Sequence, residues 1–223
     1  MSDYYSERLS SNNLKKCYDI APPRVKQYLR AEIEYVRGQL QKTDSVFELG
    51  CGYGRVLKQL LPYSSSVIGI DTSIESLLIV KDYVEQNSRC QVIQANAASL
   101  PLCDGSIDKV VCIQNGISAF KVDAIELLRE SIRITRKGGL CLFSSYSDKF
   151  WKHRIDWFKL QADTGLIGEI DWNRTSDGVI SCRDGFLATT FTQNDFQNLI
   201  SQLDLNAAVI EVDESSIFCV ISV

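Results

Sequence analysis

Histidine is almost missing from this 223-residue chain: His153 is the only one, and methionine is equally rare. A histidine-built metal centre, or a nucleophile relayed through histidine, has at most one residue to draw on. Cysteine is present eight times, but no CxxC pair occurs and the spacings are irregular, so neither a zinc ribbon nor a dithiol redox motif is encoded. Cys112, Cys141 and Cys219 lie inside apolar, β-rich runs, where a reduced thiol behaves as a small hydrophobe. No apolar run approaches the roughly 18 residues that a membrane span requires. The opening MSDYYSERLSSNNLKKC also lacks the apolar core of an export signal. Membrane insertion and secretion are therefore not expected, and the cytoplasm is the expected compartment. Positive charge is in slight deficit, 24 Lys and Arg against 28 Asp and Glu giving 24 − 28 = −4. That balance disfavours a broad footprint for nucleic acid. What remains is an ordinary folded composition, 45% apolar and 23% charged, without internal repeats or low-complexity linkers.

The apolar pattern predicts an alternation of strands and helices. Pro22 to Leu40 reads as a helix with an apolar stripe at Val25, Tyr28, Leu29, Ile33, Val36 and Leu40. Then follow VFEL (46–49), a helix over 55–61, SVIGI (66–70), a helix over 73–87, CQVIQA (90–95), KVVCIQ (109–114), a helix over 124–135 and GLCLFSSY (139–146). Continuous apolar runs such as VVCI suit strands covered on both faces, which implies a doubly wound, mainly parallel sheet. After Tyr146 the pattern changes. An aromatic helix carries Phe150, Trp151, Trp157 and Phe158, with Lys152, His153, Arg154 and Asp156 expected on its solvated face. Asp177-Gly178 and Asp184-Gly185 read as hairpin turns. Thr192 with Asp195 reads as the cap of a helix over 195–203, and NAAVIEV and SIFCVISV form a terminal hairpin.

The chemistry is carried by VFELGCGYGR. Gly50, Gly52 and Gly54 lie between a strand and a helix, where residues without Cβ admit positive φ and bring backbone N–H groups close to a ligand. The second strand ends in Asp71, where a carboxylate can accept from both hydroxyls of a ribose. A dinucleotide fingerprint would need Gly or Ala at position 55, which is Arg55. The frame E-x-G-x-G-x-G, QANAASLPLCDGSIDKVV and RKGGL together resemble the class I S-adenosylmethionine-dependent methyltransferases over residues 44–146 and 192–223.

That resemblance implies a Rossmann-like α/β domain: a doubly wound, seven-stranded mixed sheet with an antiparallel C-terminal hairpin. A single domain of residues 1–223 would comprise a helical lid (1–43), a cofactor-binding core (44–146), a substrate-covering insertion (147–191) and a C-terminal helix and hairpin (192–223). The implied cofactor is S-adenosylmethionine, with no metal. Its implied contacts are Glu48, Gly50, Cys51, Gly52 and Gly54, Asp71 and Thr72, Asn96 and Ala97 (Asn96 standing where the family carries an acid), and Gln114 and Asn115. Tyr18 in the family-like YDIA element would contact the methionine part or the substrate, and Arg24 would reach the cofactor's carboxylate. Candidates for a base are Tyr18, Tyr146 and His153; Trp151, Trp157 and Trp172 are candidate pocket walls. No NPPY-like motif stands at CIQNGI (112–117). The expected acceptor is a small molecule, methylated on O or N, and the expected assembly a monomer or homodimer. The alternatives are a tRNA or protein methyltransferase that needs a partner subunit, or a non-catalytic regulatory subunit.

Overall fold

The computed structural model describes Tyr4 and residues 11–223. Of the expected lid, residues 1–3 and 5–10 lie outside the described residues; its visible part begins with helix α1 (Ser11–Asp19) and continues into α2 (Pro23–Gly38). The alternation then runs β1 (Ser45–Leu49), α3 (Arg55–Leu60), β2 (Ser66–Asp71), α4 (Ile74–Tyr83), β3 (Cys90–Gln94) and β4 (Ile107–Cys112). A one-turn helix α5 (Gly116–Ala119) precedes α6 (Ala124–Ile134) and β5 (Thr135–Tyr146).

The seven strands lie in the order β3-β2-β1-β4-β5-β9-β8. The first five are parallel, while β9 (Ser216–Ser222) runs antiparallel to both β5 and β8 (Ala207–Val212). Both faces are covered. Leu127 and Leu128 of α6 and Phe196 of α8 (Gln193–Leu203) pack on one side, and Ile33 and Val36 of α2, Leu57 of α3 and Val80 of α4 on the other. This explains why VVCI is a continuous apolar run: Val110, Val111 and Cys112 are fully enclosed. The ends of the helices follow local chemistry. Ser73 caps α4, Asp123 caps α6, and Thr192 and Asp195 form a reciprocal box at α8.

The insertion has its own core. Helix α7 (Trp151–Asp163) and the two-stranded β6 (Ile180–Ser181) and β7 (Leu187–Ala188) pack with Val25 and Tyr28 of α2 and Tyr146 of β5. Asp177-Gly178 and Asp184-Gly185 are indeed turns: Ser176 and Val179 exchange backbone bonds around the first, and Cys182 N–H donates to the Phe186 carbonyl across the second. One expectation fails here. Arg154 is not on the solvated face of its helix but is 1% exposed, donating to the carbonyls of Gly178 and Thr189 and lying 4.4 Å above the Tyr146 ring. Its guanidinium has enough donors to staple the loop that carries β7 onto α7.

β1 has β2 on one side and β4 on the other, so the chain leaves the two central strands toward opposite faces. Their C-terminal ends open a crevice at this switch point.

Candidate functional site

A cleft with a cavity volume of about 230 Å³ occupies that crevice, bounded by the ends of β1, β2 and β4, by α1 and by the insertion. Its floor is the glycine loop. Gly50 and Gly52 have φ of 69° and 52°. A Cβ on Gly50 would come within 2.6 Å of the Phe120 ring, and one on Gly52 within 2.9 Å of Leu14. Gly54, with φ of 87°, instead lets α3 approach Val80 of α4, and it is not among the residues that line the cleft.

Asp71, at the tip of β2, is held by the loop it serves: one carboxylate oxygen accepts from Gly52 N–H at 2.9 Å, the other from Ser73 N–H at 2.8 Å. Cys51 and Thr72 line the same wall, the Cys51 amide donating to the Ile70 carbonyl at 2.8 Å. Ala97 also lines the cleft. Asn96 does too, but it is exposed, and its side-chain oxygen accepts from Ala98 N–H at 2.9 Å in a tight local turn.

Glu48 is 4% exposed, and its Oε2 has no hydrogen-bond partner. Burial pushes its pKa up to about 8, with the Asp71 charge adding to the rise and Arg55 opposing it. In the sequence, Arg55 speaks only against a dinucleotide. Here it lines the same cleft, with Nε and Nη2 buried and unpartnered.

The loop after β4 is built unusually. Gln114 and Asn115 both have left-handed backbones, φ of 59° and 63°. Non-glycine residues hold such angles only when their surroundings demand it. The demand comes from Glu32 of α2, a fully buried carboxylate that no sequence signal singled out. It accepts from Gln114 N–H at 2.8 Å and from Ser216 Oγ at 2.7 Å. Burial raises its pKa to about 7, against the hydrogen bonds that favour the ion. The Gln114 side chain reaches the cleft with Nε2 unpartnered, and its Oε1 lies 3.4 Å from the Tyr18 hydroxyl. Asn115 is differently occupied: its amide donates to the Thr189 carbonyl at 2.8 Å and accepts from Ser145 Oγ at 2.7 Å and Ser118 Oγ at 3.0 Å. Asn115 thus ties the insertion to the sheet, and only its edge faces the cleft.

Three expectations need correction. Arg24 does not reach the cleft: it pairs with the Asp213 carboxylate at 2.7 Å and donates to the Asp213 carbonyl at 2.6 Å, in the turn between β8 and β9. His153 is exposed on α7, 5.5 Å from the Phe150 ring, and is not among the cleft residues. The tryptophans do not wall the pocket either. Trp157 donates from Nε1 to the Cys17 carbonyl at 3.0 Å, pinning α1 to the insertion; Trp151 packs near Arg154, and Trp172 is 58% exposed. The aromatic surfaces that do line the cleft are Tyr18, Tyr53, Phe120, Tyr146 and Phe158. Burial raises the Tyr18 phenol above its usual range and pushes that of Tyr146 up to about 12.

Chemically, the cleft offers an acceptor for vicinal hydroxyls (Asp71), an unpartnered buried acid suited to an ammonium group (Glu48), and apolar surface for a flat base (Ile70, Ala97, Phe120). These residues fit an adenosine joined to an amino acid.

The profile of a family described as a methyltransferase domain matches residues 46–139. A tRNA N(3)-methylcytidine methyltransferase of Drosophila melanogaster, Mettl2, is 29% identical over 184 residues, 76% of this chain and 51% of its own. An arsenite methyltransferase of Aquipseudomonas alcaligenes is 31% identical over 142 residues, 57% of this chain and 40% of its own. The chain therefore spans about half the length, or less, of these curated relatives. Among solved structures, the PH0226 protein of Pyrococcus horikoshii superposes with a TM-score of 0.67 at 17% identity, covering 100% of this chain and 99% of that one. The family match runs from β1 into β5, the strands that build the cleft, and the sheet carries the terminal antiparallel hairpin that the resemblance implied. The methyltransferase-domain match over residues 46–139, the curated methyltransferase relatives and the shared fold together support a class I methyltransferase with S-adenosylmethionine as its cofactor.

Proposed function

We propose that the chain transfers a methyl group from S-adenosylmethionine to a small-molecule acceptor held between Tyr18, Tyr146, Phe158 and Ala188. The observation that carries the acceptor class is the make-up of this end of the cleft: aromatic rings and a small aliphatic side chain, closed over by the insertion. A nucleic acid would need a basic rim, and the insertion's basic residues do not form one. Lys149 is paired with Glu211 at 2.6 Å and Glu214 at 3.6 Å, Lys159 with Asp163 and Arg183 with Glu169, Arg154 is buried, and the exposed Lys152 and Arg174 lie on separate segments.

In this reading Asp71 accepts from the ribose hydroxyls, Glu48 takes the amino group, the backbone of Gly50 to Gly52 lies against the ligand, and Thr72, Asn96 and Ala97 border the adenine. Gln114 and the edge of Asn115 close the side nearest the acceptor. The bound cofactor supplies a methyl group on a sulfonium, already activated toward a lone pair. The protein's task is then alignment and exclusion of water. Tyr18 and Tyr146, with pKa values raised by burial, keep their protons at neutral pH and donate hydrogen bonds instead of removing a proton. The acceptor is therefore one whose lone pair is free at neutral pH.

The test is transfer of labelled methyl groups from the cofactor to a metabolite panel and, in parallel, to bulk tRNA over a salt series. Labelling of metabolites supports the reading. Labelling of tRNA alone, falling steeply with salt, would replace it with the second reading, which the likeness to the Drosophila enzyme favours.

A further inference from the structure

The acceptor end of the cleft has hydrogen-bond donors to spare. Gln114 Nε2 is buried there without a partner, while Oε1 of the same amide accepts from the Tyr18 hydroxyl at 3.4 Å. The residue is fixed from behind, its backbone N–H donating to Glu32 at 2.8 Å and to Ser144 Oγ at 2.9 Å. An amide nitrogen can only donate, and a buried donor without an acceptor is costly unless a ligand supplies one. The phenols of Tyr18 and Tyr146 keep their protons and can donate as well. The charges point the same way. Aromatic rings around a small cavity would suit a cationic acceptor, because a cation is drawn to the face of a ring. Here guanidinium groups already sit on those rings: Arg55 lies 4.4 Å from the Tyr18 centroid, and Arg154 lies 4.4 Å from that of Tyr146 and 5.6 Å from that of Phe158. Arg154 does not line the cleft, but its charge is felt there, since it works against the rise of the Tyr146 pKa. The acids that border the cleft are Glu48 and Asp71, at the ends of β1 and β2, and the reading above gives both to the cofactor. Glu32, behind Gln114, is bonded by Gln114 N–H and Ser216 Oγ, and burial holds it toward its neutral form.

We infer that the methyl acceptor carries a carboxylate, that Gln114 Nε2 is the donor that bonds it, and that Arg154, beside the Tyr146 and Phe158 rings, supplies the positive charge that selects it over a neutral or cationic analogue. The inference rests on the small-molecule reading above and names its substrate class. Glu32 is then a positioning residue, acting on the acceptor through Gln114.

The experiment titrates small aromatic probes into protein saturated with S-adenosylhomocysteine: benzoate, phenylacetate and 3-phenylpropionate, each beside its amide and its amine, so that one ring is presented with three charges at pH 7. At least one carboxylate should bind about tenfold tighter than its amide, the margin between a charge-assisted and a neutral hydrogen bond, and its amine should bind more weakly still. Gln114→Glu keeps the size of the side chain and replaces the donor with an acceptor, so it should abolish that margin; a margin that survives undiminished would overturn the assignment of the donor. Arg154 also staples the insertion, so its charge is read first in the wild type, from the gap between amide and amine, which needs no variant to fold. Arg154→Lys should keep that gap and Arg154→Met narrow it, and an unchanged gap in a folded Arg154→Met protein would remove Arg154 from the assignment. Amides and amines that bind wild type as tightly as the carboxylates would overturn the inference and leave the small-molecule reading standing. A panel that does not bind at all, with tRNA accepting the label, would overturn both.

Discussion

Cofactor binding should expel a proton from Glu48. In the free protein its carboxyl titrates at about 8, raised from 4.5 by burial in a cleft where Oε2 has no donor. At pH 7 it is then protonated in about nine molecules of ten. An ammonium group placed against it favours the carboxylate, so binding releases about 0.9 proton at pH 7. Affinity should accordingly rise about tenfold per unit between pH 6 and 7 and level off toward pH 8, where the ligand's own amine begins to titrate. Titration of S-adenosylhomocysteine into the protein at pH 7 in phosphate and in Tris reads this directly, because the two buffers differ in ionisation enthalpy and the slope of heat against that enthalpy is the proton count. Glu48→Gln should bring the slope close to zero and flatten the pH dependence. Glu32, whose pKa is also raised, serves as the internal comparison: its carboxylate already has donors from Gln114 and Ser216, so Glu32→Gln should leave the proton count unchanged. Wild-type heats that are independent of buffer, or a slope that survives in Glu48→Gln, would refute the reasoning.

Asp71→Ala should weaken S-adenosylhomocysteine by about 2 to 3 kcal/mol through the lost ribose bonds. Because the carboxylate also holds Gly52 and Ser73 amides, the variant should lose about 1 to 2 kcal/mol of stability in urea unfolding as well; unchanged affinity in a folded variant would remove Asp71 from the site. Phe158→Ala, which opens the acceptor wall where the ring packs on Trp157 and Phe186, should leave cofactor affinity within about threefold while raising the acceptor KM. Acceptor kinetics that do not move would make the insertion a purely structural cover. Glu32 keeps its proton up to about pH 7 in the folded protein and loses it at 4.5 when unfolded, so its contribution to stability diminishes as pH rises through that window. Unfolding curves between pH 5 and 8 should therefore be flatter for Glu32→Gln than for wild type, and parallel curves would contradict the assigned burial.

The sequence by itself determined the order of strands and helices, the parallel core with its terminal hairpin, the glycine turn and the acid at the tip of the second strand. Each of these shows in the sequence as a pattern only a few residues long. Apolar runs such as Val110 to Cys112 report two covered faces, Thr192 and Asp195 cap the helix they begin, and Gly50 and Gly52 stand where only a missing Cβ lets Phe120 and Leu14 approach. Partnerships between charged and polar side chains were decided by the tertiary structure alone. Arg24 meets Asp213 across 189 positions of sequence, and Glu32 finds Gln114 across 82 and Ser216 across 184. A cationic side chain in the sequence carries no mark of whether a carboxylate will fold against it. Arg24, Arg55 and Arg154 are alike as letters, yet the first is spent on a turn, the last is buried as a staple, and the middle one is left with bonds to give. Which arginine faces the cleft follows from how the elements pack, because a guanidinium bonds to whatever acceptors the fold brings within its reach, and only the assembled sheet, N-terminal helices and residues 147–191 fix where those acceptors are.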